Sequence, residues 1–434
     1  MKYIKTSNLN SLIEHIQLYS QLKTEYGADD LKPILSNAER DLRSALTQIK
    51  KLPVNRKLAL EEPNNLSAIQ KLRPAGPRRL WKSFDKKNYS EKVEGALLGR
   101  MAGCTLGAPV EFWSIEKMEA LAKENGDKFP PTNYWKYVPE PASIRYGLSK
   151  RDEYIRNGIN GVPVDDDIAY TLLGLLIAED FGVDFSVEDV GKAWVKYLPY
   201  ACTAEDIALK NLQKGISALH TADINNPFCE WIGADIRADP WGYLAPGWPQ
   251  RAAETAWKDA YVSHRRQGIY GEMFFAAAIS AAFAVDDPVE ALKIGLTEIP
   301  KNCALAKAVR WALRVAPNIK DYKQARIAVD KKFKGIHPVH TINNACLTIF
   351  GITIGGKNFT KVISETVAMG LDNDCTAATA GSIVGAVVGK KGIPLKWHKN
   401  FNNTVYSYLI GKKNFSISGL VRRFAKQAKI TLNK

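Results

Sequence analysis

No run in this chain is long and apolar enough to make a convincing membrane span. The longest, 274–285 and 376–388, are short and rich in alanine or glycine. The opening MKYIKTSNLNSLIEHIQ has no apolar signal core. Cysteine is scarce and unpatterned: Cys104, Cys202, Cys229, Cys303, Cys346 and Cys375 contain no CxxC pair. Neither their spacing nor neighbouring histidines favour a zinc site. Reduced thiols in a cytosolic protein, with no membrane association, are the expectation. The chain also lacks an alternating strand series, an internal repeat and any nucleic-acid module signature. Acidic charge is the minority, leaving a net charge of +15. The basic residues are scattered except for Lys412, Lys413, Arg422, Arg423, Lys426 and Lys429. A solvated surface explains them, and affinity for a polyanion is the sharper alternative.

What is present is helical periodicity. The composition is that of a soluble globular protein, and 434 residues suffice for one large domain or two ordinary ones. Residues 1–50 read as a helical hairpin broken at GADD. Residues 52–80 carry Pro53, Pro63, Pro74 and Pro77, and read as linker or irregular wrapping chain. Helical patterns then continue to the end: 91–106, 115–125, 167–181, 187–196, 204–219, 249–264, 271–285, 288–298, 304–315, 322–333, 344–351, 358–369, 376–388 and 418–428. The expected fold class is all-α, with a short β element near 134–144. The expected organisation is an N-terminal helical extension and linker (1–80) followed by the main domain (81–434).

Three acidic clusters stand at helix starts: Asp165, Asp166 and Asp167 in VPVDDDIAYTLLGLL; Asp372 and Asp374 in GLDNDCTAATAGSIVGAVVG; and Glu111 in GRMAGCTLGAPVEFW. Capping explains one acid at a helix start. It does not explain three in a row, which repel unless a cation neutralises them. Each cluster leads into an unusually apolar helix, at the edge of the core. Oxygen-rich clusters suit Mg²⁺ or Mn²⁺. Two carboxylate groups from distant parts of the chain would share two such ions, activating water and steadying charge on substrate oxygens. The row Ala377, Gly381, Gly385, Gly389 lines one helix face and would admit another backbone very closely.

Several ordered motifs resemble the ADP-ribosylglycohydrolase family, over about residues 90–430. GALLGRMAGCTLGAPVEF is similar to the family's glycine-rich opening motif, which ends in a substrate-side glutamate. VDDDIAYTLL is similar to TDDTxMTL, and GLDNDCTAATAGSIVGAVVG to GGDTDTxAAIAGAxxGA. IGADIRADPWG resembles NGSAMRxxPLG, and DAYVSHRRQGIYGEMFFAAAISAAF resembles the histidine segment and the alanine-rich helix after it. Residues 1–80 have no counterpart.

The resemblance implies an all-helical hydrolase with two divalent ions, Mg²⁺ or Mn²⁺. Its substrate would be an ADP-ribosylated protein, nucleic acid or small molecule. Asp166, Asp167, Asp372 and Asp374 would hold metal. Asp165 and Cys375 stand where the family has hydroxyl ligands, and Thr376 is an alternative to the thiol. Ile168, Cys104 and Ile232 replace a threonine, an aspartate and an asparagine of the family pattern. Glu111 would accept a hydrogen bond from the ribose or help move a proton, and Asp372 or Asp165 would serve as general base. Gly233 and Arg237 would meet the diphosphate, or Arg237 would be a structural ion-pair partner. His264 would face the ligand or stay structural. His340 would pack or orient the second metal loop. Trp241 and Tyr243 would stack an adenine or pack a rigid loop. Two other readings compete: a non-catalytic relative that binds ADP-ribose or is purely structural, and a two-metal phosphohydrolase. The intact aspartates oppose the first, and the absence of a histidine-rich metal motif opposes the second.

Overall fold

A computed structural model describes residues 3–4, 6–139, 143–144 and 147–434. The fold is all-α: among the described residues the only sheets are two small antiparallel pairs. One pair is β1 (Ser143–Ile144) with β2 (Ser149–Lys150); the other is β3 (Thr404–Tyr406) with β4 (Asn414–Ser416). The first therefore falls at the end of the span expected to hold a β element. The second was not foreseen.

The chain forms two compact units, Met1–Leu60 and Glu61–Lys434. The first holds helices α1 (Ser7–Glu25) and α2 (Leu31–Lys50), separated by a turn at Gly27, whose φ is +75°. Residues 61–80 belong to the larger unit. Ile69 is fully buried there. Arg73 and Arg78 both reach Glu298, at 2.5 and 2.6 Å, and the Tyr270 hydroxyl donates to Pro63 O at 2.6 Å.

In the larger unit the helices that position the site are α3 (Lys86–Gly107), α4 (Asp166–Phe181), α5 (Thr203–Gln213), α6 (Gln267–Ala282), α7 (Thr341–Gly355), α8 (Phe359–Ala368), α9 (Asn373–Val388) and α10 (Ile417–Leu432). Helix α6 is buried along its whole length, which fits its mainly apolar sequence; its buried acid, Glu272, is paired with Arg237 at 3.4 Å. Helices α3 and α9 form the innermost pair. They run antiparallel and touch through backbone. A Cβ on Gly95 would lie 2.4 Å from Gly385 O, one on Gly99 2.1 Å from Gly381 O, and one on Gly103 2.1 Å from Ala377 O. The small-residue stripe on α9 therefore meets a matching stripe on α3, at the same four-residue spacing. No larger residue fits at these crossings. The expected start of α9 at Thr376 moves back to Asn373, so Asp374 lies inside its first turn and Asp372 is its N-cap. The segment 204–219 ends as a helix at Gln213, because Gly215 turns the chain with φ +81°.

Candidate active site

The glycine pairing fixes where the acids meet. Helix α3 runs out at Gly107, and one 3₁₀ turn, Ala108–Val110, delivers Glu111. Because α9 runs the other way, its N-terminus lies beside that end of α3. A Cβ on Gly107 would fall 2.5 Å from Asp374 Cα. The junction is closed by Phe112 N–H donating to Leu371 O at 2.9 Å. The Asn373 side-chain amide donates to Val367 O at 3.1 Å. Phe112 and Leu371 have φ of 59° and 60°, a conformation that bulky residues adopt only where their surroundings impose it. Glu111, Asp372 and Asp374 each present an oxygen within 4.8 Å of the others. Asp372 makes no capping hydrogen bond to its own helix, so capping does not explain it.

The three acids at the start of α4 divide their work. Asp165 is the cap: its carboxylate accepts from Asp167 N–H at 2.9 Å. Asp166 is half-buried and faces a cavity. Asp167 points inward, 0% exposed, where Arg100 Nη2 reaches its carboxylate at 3.2 Å. The Cys375 thiol donates to Asp167 Oδ2 at 3.0 Å. Asp167, Asp374 and Cys375 form a second trio within 4.8 Å, and the three α4 acids a third. Asp374 thus belongs to two of the three groups.

Burial, opposed by Arg100 but reinforced by Asp165 and Asp166, raises the Asp167 carboxyl well above its usual range. Burial and then Asp167, Asp372 and Glu111 push the Cys375 thiol up as well, so it stays protonated. Crowded acids of this kind are what a bound cation would relieve.

The cavity has a volume of about 390 Å³, within the range of small-molecule clefts. Its wall includes Glu111, Asp166, Gly233, Asp372, Asp374 and Cys375. Arg237 and His264 do not line it. Arg237 is buried behind the wall, where it binds Glu205 at 2.8 Å, Asp259 at 2.8 Å and Glu272 at 3.4 Å. That is the ion-pair alternative, and it leaves the guanidinium no path to a diphosphate. His264 is fully buried with Ser263 Oγ 2.8 Å from its Nδ1. Burial, followed by Arg237 and Arg265, lowers its pKa well below the usual value, so the ring is neutral. Thr376 also lies off the cavity wall; its buried hydroxyl has no hydrogen-bond partner among the described residues. His340 caps α7, accepting from Ile342 N–H at 3.2 Å. Trp241 and Tyr243 are buried packing residues, bonded to Glu272 and Asp239 at 2.8 and 2.9 Å.

Three charged groups escaped the sequence reading. Arg100 sits within the glycine stripe of α3 and also pairs with Asp239 at 2.6 Å. Burial lowers its pKa, but Asp239 and Asp167 outweigh that and hold it charged. Asp235, in IGADIR, is 2% exposed, with no hydrogen-bond partner among the described residues for either oxygen. Burial drives its pKa well up. Glu205, in the first turn of α5, lines the cavity, and burial pushes its pKa up to about 7 against the pull of Arg237. The signal available for Glu205 was only an acid near a helix start, which capping explains equally well.

A family model described as ADP-ribosylglycohydrolase matches residues 85–428. The chain belongs to the ADP-ribosylglycohydrolase family. An uncharacterized protein of Archaeoglobus fulgidus is 26% identical over 319 residues, covering 71% of this chain and 90% of that protein. A solved structure titled "ADP-ribosylglycohydrolase-related protein complex" is 18% identical; the alignment covers 80% of this chain and 99% of that one, with a TM-score of 0.49. ADP-ribosylglycohydrolases are generally hydrolases and typically bind divalent metals, and the acidic trios here could hold such ions. The donors are mostly carboxylate oxygens, which fit hard divalent cations, and Cys375 is the exception. Among the described residues, no helix is long and apolar enough to cross a membrane.

Proposed function

We propose that the protein hydrolyses the glycosidic bond between ADP-ribose, or a related ribosyl group, and an acceptor, in a site that holds two divalent ions, Mg²⁺ or Mn²⁺. The observation that carries this is the sharing of Asp374 between two trios of ligand atoms: Glu111, Asp372, Asp374 and Cys375 lie on the wall of one cavity, and Asp167 is buried directly behind it. Ions bound there would lower the pKa of water and neutralise charge on substrate oxygens. Asp166, Asp167, Asp372 and Asp374 would hold them, with Asp165, Glu111 and Cys375 grouped with these acids; Thr376, the alternative to the thiol, lies off the cavity wall.

The chain's own residues do the rest. Glu111, at the cavity edge, accepts a hydrogen bond from a ribose hydroxyl. Gly233 leaves its backbone amide open to the diphosphate; a Cβ there would lie 2.2 Å from Glu205. At the anomeric carbon the bond to the acceptor breaks through an oxocarbenium-like state, and water forms the new C–O bond. Water's proton passes to a carboxylate, and the acceptor leaves with a proton. Asp372 is one candidate for this transfer. Glu205 is a second, with a pKa suited to proton exchange near neutrality. Arg237 holds Glu205 in place at 2.8 Å, and His264 reaches Arg237 through Ser263 Oγ, at 2.8 and 3.0 Å, so both act by positioning.

The test is release of ADP-ribose from arginine-, serine- and nucleic-acid-linked substrates, with Mg²⁺, Mn²⁺ or EDTA. Release that needs metal and disappears in Asp374→Ala supports the proposal. Tight ADP-ribose binding without release would instead mark a non-catalytic relative, a reading that the protonated Cys375 thiol favours.

A further inference from the structure

Helix α2 has no buried residue, and from Glu39 to Lys50 every position is exposed. Its sequence is nevertheless that of a packing helix. Leu31, Leu35, Ala38, Leu42, Ala45, Ile49 and Leu52 follow one another at alternating steps of four and three residues, without a break. That is the spacing of a coiled-coil seam, in which one apolar face of a helix meets another helix. Leu52 N–H donates to Ile49 O at 3.1 Å, so the seam runs on past Lys50 and stops at Pro53. Ile34 and Leu46 flank it, one on each side. Leu31 and Ala38, in its first half, are half-buried; the rest is open.

The open part is large. Ile34, Leu35, Leu42, Leu46, Ile49 and Leu52 are 38–72% exposed. Together they leave on the order of 600 Å² of apolar surface uncovered, as much as the largest patch of an ordinary monomer. Two such faces laid together would bury about 1,200 Å², enough for a specific interface. A helix of this length gains little from its own hydrogen bonds in water, so its stability rests on packing of that kind.

We propose that this seam pairs with the same seam of a second copy of the chain, antiparallel, about a two-fold axis. The order of large and small residues selects that partner and that direction. From Leu35 to Ile49 a leucine or isoleucine alternates with an alanine along the seam. In a parallel pair like positions face each other, so alanine would meet alanine and those layers would be left with gaps. In an antiparallel pair each large residue meets a small one. With the axis between Arg43 and Ser44, Leu42 of each copy meets Ala45 of the other, Ala38 meets Ile49, and Leu35 meets Leu52. The same register brings Glu39 beside Leu46 and Asp41 beside Gln48, so no like charges meet along its edges. Glu39 is also neutralised on its own helix by Arg43, at 2.5 Å. One patch thus serves both copies, as a two-fold interface requires. The seam lies outside residues 85–428, the part matched by the family model, and its pairing does not depend on the hydrolase reading.

The experiment is sedimentation equilibrium of the full chain, between about 1 and 100 µM. The parent should sediment as a dimer, twice the 48.2 kDa chain. The double variant Leu42→Glu, Ile49→Glu should raise the dissociation constant of the dimer at least tenfold. Thr47→Glu, on the opposite face of α2, should dimerise like the parent. All three positions are exposed, so urea unfolding of the larger unit should be the same in every variant. Direction is read by cross-linking in a Cys202→Ser background, which removes the exposed native thiol. Copies carrying Leu35→Cys, mixed with copies carrying Leu52→Cys, should join through a disulfide on mild oxidation, and Leu52→Cys alone should not. A parent that stays monomeric at about 100 µM would overturn the proposal and leave the seam to a different partner. A dimer that survives the double substitution would overturn it too. Self-linking of Leu52→Cys without the mixed disulfide would overturn the antiparallel register.

Discussion

Replacing Gly99 by alanine sets two effects against each other. In an isolated helix the change stabilises by about 1 kcal/mol, because alanine is the better helix former. Here the new Cβ would sit 2.1 Å from Gly381 O, more than an ångström inside the 3.4 Å at which ordinary contact begins. The obstacle is backbone, so no rotamer change relieves it, and α3 and α9 must part. Overpacking of this kind costs roughly 1–3 kcal/mol, and more where backbone must move. The clash should therefore win, and Gly99→Ala should lose about 1–2 kcal/mol of stability in urea unfolding. The same displacement separates Gly107 from Asp374, so Mn²⁺ affinity should fall too, although Gly99 touches no acid of the site. A Gly99→Ala protein as stable as the parent, with unchanged Mn²⁺ affinity, would refute the backbone-to-backbone crossing and the claim that it aligns the acids.

Two further predictions concern single groups. Cys375→Thr replaces a protonated thiol with an oxygen donor, so Mg²⁺ affinity, measured by calorimetry, should rise several-fold relative to softer ions. The Glu205 carboxyl titrates near 7 in the folded chain, against a usual 4.5. The folded state thus holds a proton that the unfolded state has lost, so this group's contribution to stability falls as pH rises from about 4.5 to about 7. Glu205→Gln should remove that part of the slope in metal-free protein, and should flatten the pH dependence of turnover around neutrality.

Much of the larger unit was legible because its helices carry strong periodicity and clear caps. The segments 115–125 and 304–315 are helices with the ends read from sequence. The acidic clusters stood out for a different reason: capping needs one carboxylate, and the sequence supplied a surplus. Asp165 proved to be the cap, and Asp166 and Asp167 the surplus. The α3 glycines were visible but unpaired, since sequence does not say which two stripes meet. For Arg237 and His264 the sequence left a ligand-facing and a structural role open, for a related reason. A polar residue in a site motif looks the same whether it faces the cavity or supports its wall, and only the packed neighbours Glu205, Asp259 and Glu272 decide. Glu205 and Asp235 were hidden because burial, which shifts their protonation, is a property of the fold and not of their local sequence.

The most direct test of the site is a Mn²⁺ titration of the full chain by calorimetry, compared with Asp374→Ala. Because Asp374 belongs to two ligand trios, the parent should bind two ions and the variant should lose both or retain one only weakly. Two ions bound equally well by Asp374→Ala, or no Mn²⁺ bound by the parent, would contradict the account.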